Sequence, residues 1–353
     1  MNTVDPTLGA CPVPLVESEK VMLGHGSGGQ LSAELLRDVL VPALGAAAST
    51  GVPEDAAVID VDGVDLVLST DSFVVSPLFF PGGDIGALAV HGTVNDLAMM
   101  GAMPVALAVT YVIEEGFPIA DLRRVTASVG AAAAAAGVPV VTGDTKVVGR
   151  GAADGIFVTT TGIGRRLPQA HISAAFARPG DVVLLSGPIG AHGTTVLSTR
   201  ESLGFETEIA SDTRALHRLV AAMLADAGPD IHVMRDPTRG GVASALNEIA
   251  TASQVGIEID EQAIPVPPTV AAACELLGLD PLHVANEGCL VAITAPDTAD
   301  ALLATMRSLP EALSAVRLGV VVNEHPGRVL MNTLMGGTRI VDMLVGEQLP
   351  RIC

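Results

Sequence analysis

Hydrophobic positions recur along this chain with two periods, and the switches between them lay out its elements. Residues 56–61 and 65–70 alternate in the strand period; in the second run Val67 points to one face, Leu66 and Leu68 to the other. Residues 84–101 predict a helix carrying Ile85, Leu88, Ala89 and Leu97. A strand is expected over 105–113, a helix over 119–136 with Ile119, Leu122, Val125 and Val129 on one stripe, and strands over 138–142 and 156–163. After a polar linker near Arg166 the pattern restarts. Strands are expected at 181–186, 257–259, 290–294 and 317–322. Helices are expected at 212–227, with Ser211 as N-cap, at 239–252 and at 297–308. Such mixing indicates an α/β or α+β protein. The chain divides into a Pro-rich arm at 1–20, an N-terminal domain at 21–165, a C-terminal domain at 166–345 and a mobile tail at 346–353.

Composition narrows the partners. With 353 residues, 49% of them hydrophobic, the chain can bury two cores. Aromatic residues make up only 2%, so stacking on bases lacks its usual side chains, and a net charge of −20 repels nucleic acid and anionic membranes. A nucleotide held by Mg²⁺ and backbone amides is still admitted. The longest apolar run, 129–141, is broken by Gly137 and Pro139 and is too short to span a bilayer; residues 1–14 have no signal-peptide pattern. Cys11, Cys274, Cys289 and Cys353 form no metal-finger spacing, so a reduced, cytoplasmic protein is expected.

Candidate chemistry begins at the last residue. Cys353 sits on a chain end that nothing downstream ties down, suited either to a frayed terminus or to a carrier arm. Its own carboxylate should hold the thiol above the ordinary value of about 8.5. Asp55, Asp71, Asp96 and Asp144 fall at the ends of strands or in the first helix, where carboxylates can converge on a hard cation; singly, each is equally consistent with a turn cap. The loops His25–Gln30, with Gly28 and Gly29, and Asp236–Gly241, with Gly240, each precede a helix and could offer amides to an anion. Lys146, one of only two lysines, follows Asp144 and fits either phosphoryl stabilisation or a surface ion pair. Glu287, in Asn286-Glu287-Gly288, fits a general base or a solvated turn.

Taken in order, these segments resemble the hydrogenase-maturation carbamoyl dehydratases, the HypE family of the PurM-like (aminoimidazole ribonucleotide synthetase) superfamily. The resemblance runs from Val21 to Cys353 and is carried by His25–Gln30, Glu54-Asp55-Ala56-Ala57, the block 69–101, Glu114-Glu115-Gly116-Phe117-Pro118, Gly143-Asp144-Thr145-Lys146, the stretches 235–241 and 284–288, and the tail 336–353, whose terminal Pro350-Arg351-Ile352-Cys353 is specific to this branch. It implies an α+β, PurM-like two-domain subunit whose N-terminal mixed sheet forms a homodimer interface and whose C-terminal domain is an α/β layer. It further implies ATP and Mg²⁺ on Asp55, Asp71, Asp96 and Asp144, with Gly28, Gly29, Asp236 and Gly240 near the phosphates. A carbamoyltransferase, HypF, would load Cys353. Lys146 and Glu287 would assist dehydration of the S-carbamoyl group to a thiocyanate, and a HypC–HypD complex would accept the cyanide for a [NiFe]-hydrogenase. Cys289 stands where the resemblance implies a lysine, and is expected to be a buried small residue rather than a second carrier. Within the superfamily, the rival readings are an ATP-dependent kinase or synthetase, which gives no role to a terminal cysteine, and a non-catalytic nucleotide-binding scaffold.

Overall fold

The computed structural model describes residues 20–48, 51–201, 203, 209–346 and 351–353. All of the arm expected at 1–20 except Lys20, and residues 347–350 of the tail, therefore lie outside the described residues.

Strands β1 (Ala57–Val61), β2 (Val64–Phe73), β5 (Ala102–Glu114), β6 (Val140–Val148) and β7 (Ile156–Arg166) form one five-stranded sheet in the order β1-β2-β7-β5-β6. Between β2 and β5 lies a small hairpin of β3 (Phe79–Phe80) and β4 (Gly83–Asp84). All neighbours in the large sheet are antiparallel except β5 and β6, which are parallel and joined by a helical crossover. Ahead of the sheet, α1 (Gln30–Leu35) continues through Leu36–Leu40 into α2 (Val41–Leu44), and this stretch leaves Leu36, Val39, Leu40 and Leu44 exposed.

One face of this sheet is covered by α3 (Ile85–Met99) and α4 (Ile119–Ala136). The period-2 alternation of β2 decides what they bury: Val67, Ser69 and Phe73 are inside, whereas Leu68 is 40% exposed. Helix α3 is buried nearly all round, because the sheet lies on one side and a helix of the second layer on the other. Asp84 starts it, its Oδ1 accepting the amides of Gly86 at 2.8 Å and Ala87 at 3.0 Å.

The second layer is a seven-stranded sheet of β8 (Val182–Leu185), β9 (Ile231–Arg235), β10 (Gly256–Asp260), β11 (Val291–Thr294), β12 (Val316–Val322), β13 (Arg328–Asn332) and β14 (Thr338–Val341), in the order β14-β13-β10-β12-β8-β11-β9. Helices α5 (Ala191–Arg200) and α8 (Pro268–Leu277) pack together, while α6 (His217–Ala227), α7 (Gly241–Ser253) and α9 (Ala299–Arg307) cover the sheet. Val183 and Leu185 meet Val242, Leu246 and Ile249 of α7 on one face. On the other, Val182 and Leu184 meet Leu219 and Met223 of α6, with Leu302 and Met306 of α9. Ala98 and Met99 of α3 enter this second cluster, so the two layers share a seam.

Two expectations change. The helix expected at 212–227 begins at His217, and Ser211 is not its N-cap. Instead Asp212 turns its carboxylate to the amides of Glu287 and Gly288, and Asn95 takes the amide of Leu216, which holds 212–216 out of the helix. Strand β6, expected to stop at residue 142, continues to Val148, so Asp144 and Lys146 lie within a strand and not beyond its end.

Because Asp84 satisfies two amides at the head of α3, Asp84→Ala should lower unfolding free energy by about 1 kcal/mol. Asp84→Asn should stay within a few tenths of the parent. Urea unfolding of both variants checks this; equal losses would mean the cap contributes nothing as a hydrogen-bond acceptor.

Candidate active site

The seam between the layers collects carboxylates. Asp71 stands on the inner face of β2, and Asp96 reaches it from α3. Ser69 Oγ donates to Asp96 Oδ2 at 2.6 Å and lies 3.5 Å from Asp71 Oδ2; Thr93 Oγ1 lies 3.4 Å from the same Asp71 oxygen. Burial pushes the Asp96 carboxyl well above the usual range, and the charges of Asp71, Asp236 and Asp55 push it further. A hydrogen bond with Asp71 raises it as well.

Asp55 and Asp236 approach from the other side. Arg235, at the end of β9, pairs with Asp55 at 3.1 Å and with Glu248. One oxygen of each of Asp55 and Asp236 is buried without a partner among the described residues. Burial is the main cause that raises both carboxyls, Asp236 to about 7, with Arg235 opposing. Asp55, Asp236, Arg235, Arg239 and the amide-bearing turn at Gly240 and Gly241 surround a cavity of about 160 Å³, open beside Gly28. The turn at Gly240 and Gly241, with φ of 75° and 62°, heads the thirteen-residue helix α7, whose N-terminus borders this space, the Gly241 amide itself donating to the Thr238 carbonyl at 3.0 Å.

The loop at Gly28-Gly29 closes the top. A side chain at Gly28 would strike Arg239, and one at Gly29 would strike the Leu344 carbonyl, so only glycine allows the loop this close. Gln30 N–H donates to that carbonyl at 2.9 Å, and Arg239 Nη1 donates to Gly26 at 3.0 Å.

Glu287 is buried with Oε1 unpartnered, on a turn held by Asp212. Gly288 must be glycine because a Cβ there would overlap the Asp212 carbonyl. Burial, then Asp236, Asp212 and Asp71, raise Glu287 well above the usual range, and Arg239 opposes them. Cys353 is half-buried in the same group: burial pushes its thiol up to about 12, Arg239 pulls it down, and Glu287, Asp71 and Asp236 push it up. The end of the expected mobile tail is therefore docked, with Ile352 in the N-terminal core.

Asp55, Asp71, Asp96, Asp236, Gly28, Gly29, Gly240, Glu287 and Cys353 thus come together. Asp144 and Lys146 do not join them within one chain. Strand register gives the reason: Asp71 pairs with Thr160, which pairs with Val109, which pairs with Gly143, all on the inner face. Asp144 is one residue on, in the row of Thr110, Thr159 and Ser72, and so points out of the opposite face. There it forms a 2.6 Å ion pair with Lys146, both side chains more than half exposed. Lys146 is thus the surface ion pair in this chain, and Arg239 is the cation that acts on the Cys353 sulfur. Sequence reasoning had placed Arg239 only in a Gly-rich loop; its flanking glycines were the available signal. Asn95, Ser69 and Asp212 carried none. Cys289 is buried, its thiol pushed up to about 12, as expected of a packing residue.

An unfolded aspartate titrates near pH 3.9, and Asp236 in the folded chain near 7, so between those values the folded state binds the extra proton. Stability from this group is complete at low pH and lost as pH rises through about 7. Relative to the parent, Asp236→Asn should therefore gain melting temperature from about pH 5 to about pH 8, by roughly 2 °C or more. Thermal scans across that range check it; a difference that does not change with pH would exclude a strained carboxyl.

Residues 53–166 match the N-terminal domain of AIR synthase related proteins, and residues 178–332 the C-terminal domain. Over 338 residues, 96% of each chain, the protein is 55% identical to the carbamoyl dehydratase HypE of Cupriavidus necator. It is also similar to a crystal structure of the hydrogenase maturation protein HypE in complex with ATP, at 47% identity and a TM-score of 0.80 over 95% of this chain and 100% of that one. A HypE–HypF complex gives 46% identity and a TM-score of 0.83 over 88% and 99%. With a PurM-like α+β fold, both family domains and relatives this similar over almost all of its length, the chain belongs to the HypE carbamoyl dehydratase family of AIR synthase related proteins.

Proposed function

We propose that this protein uses ATP to dehydrate a carbamoyl group carried on its own Cys353. One observation carries the reading: the chain end is docked with its thiol acted on by Arg239, Glu287 and Asp71, inside the carboxylate cluster. A thiol raised to about 12 is a poor nucleophile there, which suits a site that works on the group already attached to sulfur.

Among the described residues no three carboxylates stand close enough to ligate one ion, but the donor set suits a divalent cation beside the nucleotide. Asp55 and Asp236 each have a buried, unpartnered oxygen, and the raised carboxyls mark a place that lacks positive charge. Asp55, Asp71, Asp96 and Asp236 would hold Mg²⁺, a hard ion that takes oxygen ligands and neutralises phosphate. The N-terminus of α7, under the Gly28-Gly29 loop, would face the phosphates.

The carbamoyl oxygen attacks the γ-phosphorus of ATP. The new O–P bond forms as the bond to ADP breaks, and nitrogen loses one proton to solvent. Glu287 then takes the second nitrogen proton, the C–O bond breaks with phosphate as leaving group, and a nitrile remains on sulfur. A carboxyl raised by burial is a stronger base once ionised, which suits Glu287 to this step. Arg239 balances charge at the phosphoryl oxygens. The sum is S-carbamoyl plus ATP giving thiocyanate, ADP, phosphate and one proton.

A homodimer gives Asp144 and Lys146 their part. The uncovered sheet face carries Leu68, Val105 and Ile163, all more than a third exposed, and α1–α2 leaves a further apolar stripe uncovered. Pairing two such faces would bring Asp144 and Lys146 to the partner's site. The HypE–HypF complex formed by a relative supports HypF as the loading partner. A HypC–HypD complex as cyanide acceptor, in the reducing cytoplasm a carrier thiol needs, completes the reading.

The test is the mass of the C-terminal peptide after incubation with HypF, carbamoyl phosphate and ATP. A carbamoyl adduct on Cys353 should lose one water only with Mg²⁺ present. Glu287→Gln should retain the adduct and slow the loss by about 10²-fold or more. Full turnover of a diffusible substrate by Cys353→Ala would instead favour a kinase-type reading. Mixing Lys146→Ala chains with Cys353→Ala chains should restore dehydration that neither shows alone; no restoration would place Lys146 outside the partner's site.

A further inference from the structure

The end of the chain is held by groups that take no part in the chemistry above. Val74 N–H donates to a Cys353 carboxylate oxygen and Ser76 N–H to the Arg351 carbonyl, both at 3.1 Å, so the tail lies along residues 74–76 as an added strand would. Arg351 Nε returns a bond to the Val74 carbonyl at 3.2 Å. Arg200, the last residue of α5, bridges both segments: Nε donates to the Ser76 carbonyl at 2.9 Å and Nη2 to the Arg351 carbonyl at 2.8 Å.

Between these bonds stands His192, fully buried on the same helix, edge-on to Phe80 at 5.5 Å. Its Nε2 lies 2.6 Å from the Ile352 carbonyl. A carbonyl only accepts, so Nε2 carries the proton. Nδ1 lies 2.8 Å from Ser211 Oγ, which itself accepts the Thr213 amide at 3.2 Å and so has its hydroxyl proton free for Nδ1. Every polar atom of the ring is matched in one neutral tautomer, a state that burial also favours. The side chain of Ile352 is 5% exposed, in the core that holds Val75 and Phe80. None of these bonds involves the cysteine side chain.

We infer that His192 and Arg200 form a receptor for the main chain of the last three residues, a positioning device that sets how far Cys353 enters the site whatever its sulfur carries. Its purpose rests on the proposed carrier role; the docking does not. Removing the Nε2 donor leaves the Ile352 carbonyl buried without a partner, so the docked state loses population to the undocked one.

The experiment measures the rate of iodoacetamide alkylation of Cys353 in the full-length chain, without nucleotide or carbamoyl donor, read from the mass of the C-terminal peptide. His192→Leu and Arg200→Ala should each raise the rate about fivefold. His192→Gln, which keeps an N–H donor, should stay within about twofold of the parent. Unchanged rates in His192→Leu and Arg200→Ala would overturn the inference, as would an equal rise in His192→Gln. Where His192→Leu does not fold, Arg200→Ala and His192→Gln decide between the same outcomes. This readout needs no turnover, so a failed dehydration assay with the expected alkylation pattern would sink the proposed function and leave the receptor standing.

Discussion

Five carboxyl groups, those of Asp55, Asp71, Asp96, Asp236 and Glu287, share one buried seam with the guanidinium groups of Arg235 and Arg239. Taking that many acids out of water is unfavourable unless they are paired, protonated or bound to a cation. Each partial remedy is present. Arg235 ties Asp55 to Glu248, and burial raises the Asp96 and Glu287 carboxyls well above the usual range, so ionising them there is unfavourable. The surrounding fold serves to hold these groups against their repulsion. Helix α3 is packed on both sides, and Asn95 fastens it to the Arg214 carbonyl and the Leu216 amide of the second layer. A site that stores repulsion has something to release when positive charge and nucleotide arrive.

Much of this was legible in the residues. The alternation of β2 set Val67 on one face and Leu66 and Leu68 on the other, of which the structure buries Val67 and exposes Leu68, and the periodic helices at 84–101 and 119–136 formed within a few residues of expectation. Most of the aspartates converged because strand ends and a helix from one sheet converge. What the pattern could not supply was register. Whether Asp144 shares a face with Asp71 depends on how β6 pairs with β5 and β5 with β7, a relation among segments far apart in sequence. A shift of one residue exchanges the faces. The late start of α6 was hidden for a similar reason: the groups that hold 212–216 extended are Asn95, Glu287 and Gly288, none of them local.

The tail was readable as a candidate carrier but not as a docked one. Arg351, Ile352 and Cys353 give no periodicity, and the partners that receive them, residues 74–76, His192 and Arg200, lie in both layers. Only the assembled seam brings those partners to one place. The same holds for Gly28 and Gly29, whose lack of a side chain matters because Arg239 and Leu344 press against them.

Tethering the reacting thiol to the catalyst has a kinetic meaning. The tail meets its site at an effective concentration set by chain length and docking contacts, independent of how much protein is present. No Michaelis constant for that substrate can be defined. Each chain holds one equivalent, so throughput depends on how quickly the docked end is surrendered to be discharged and refilled. Contacts that seat Ile352 more firmly would sharpen each chemical step while lengthening the wait between successive loads.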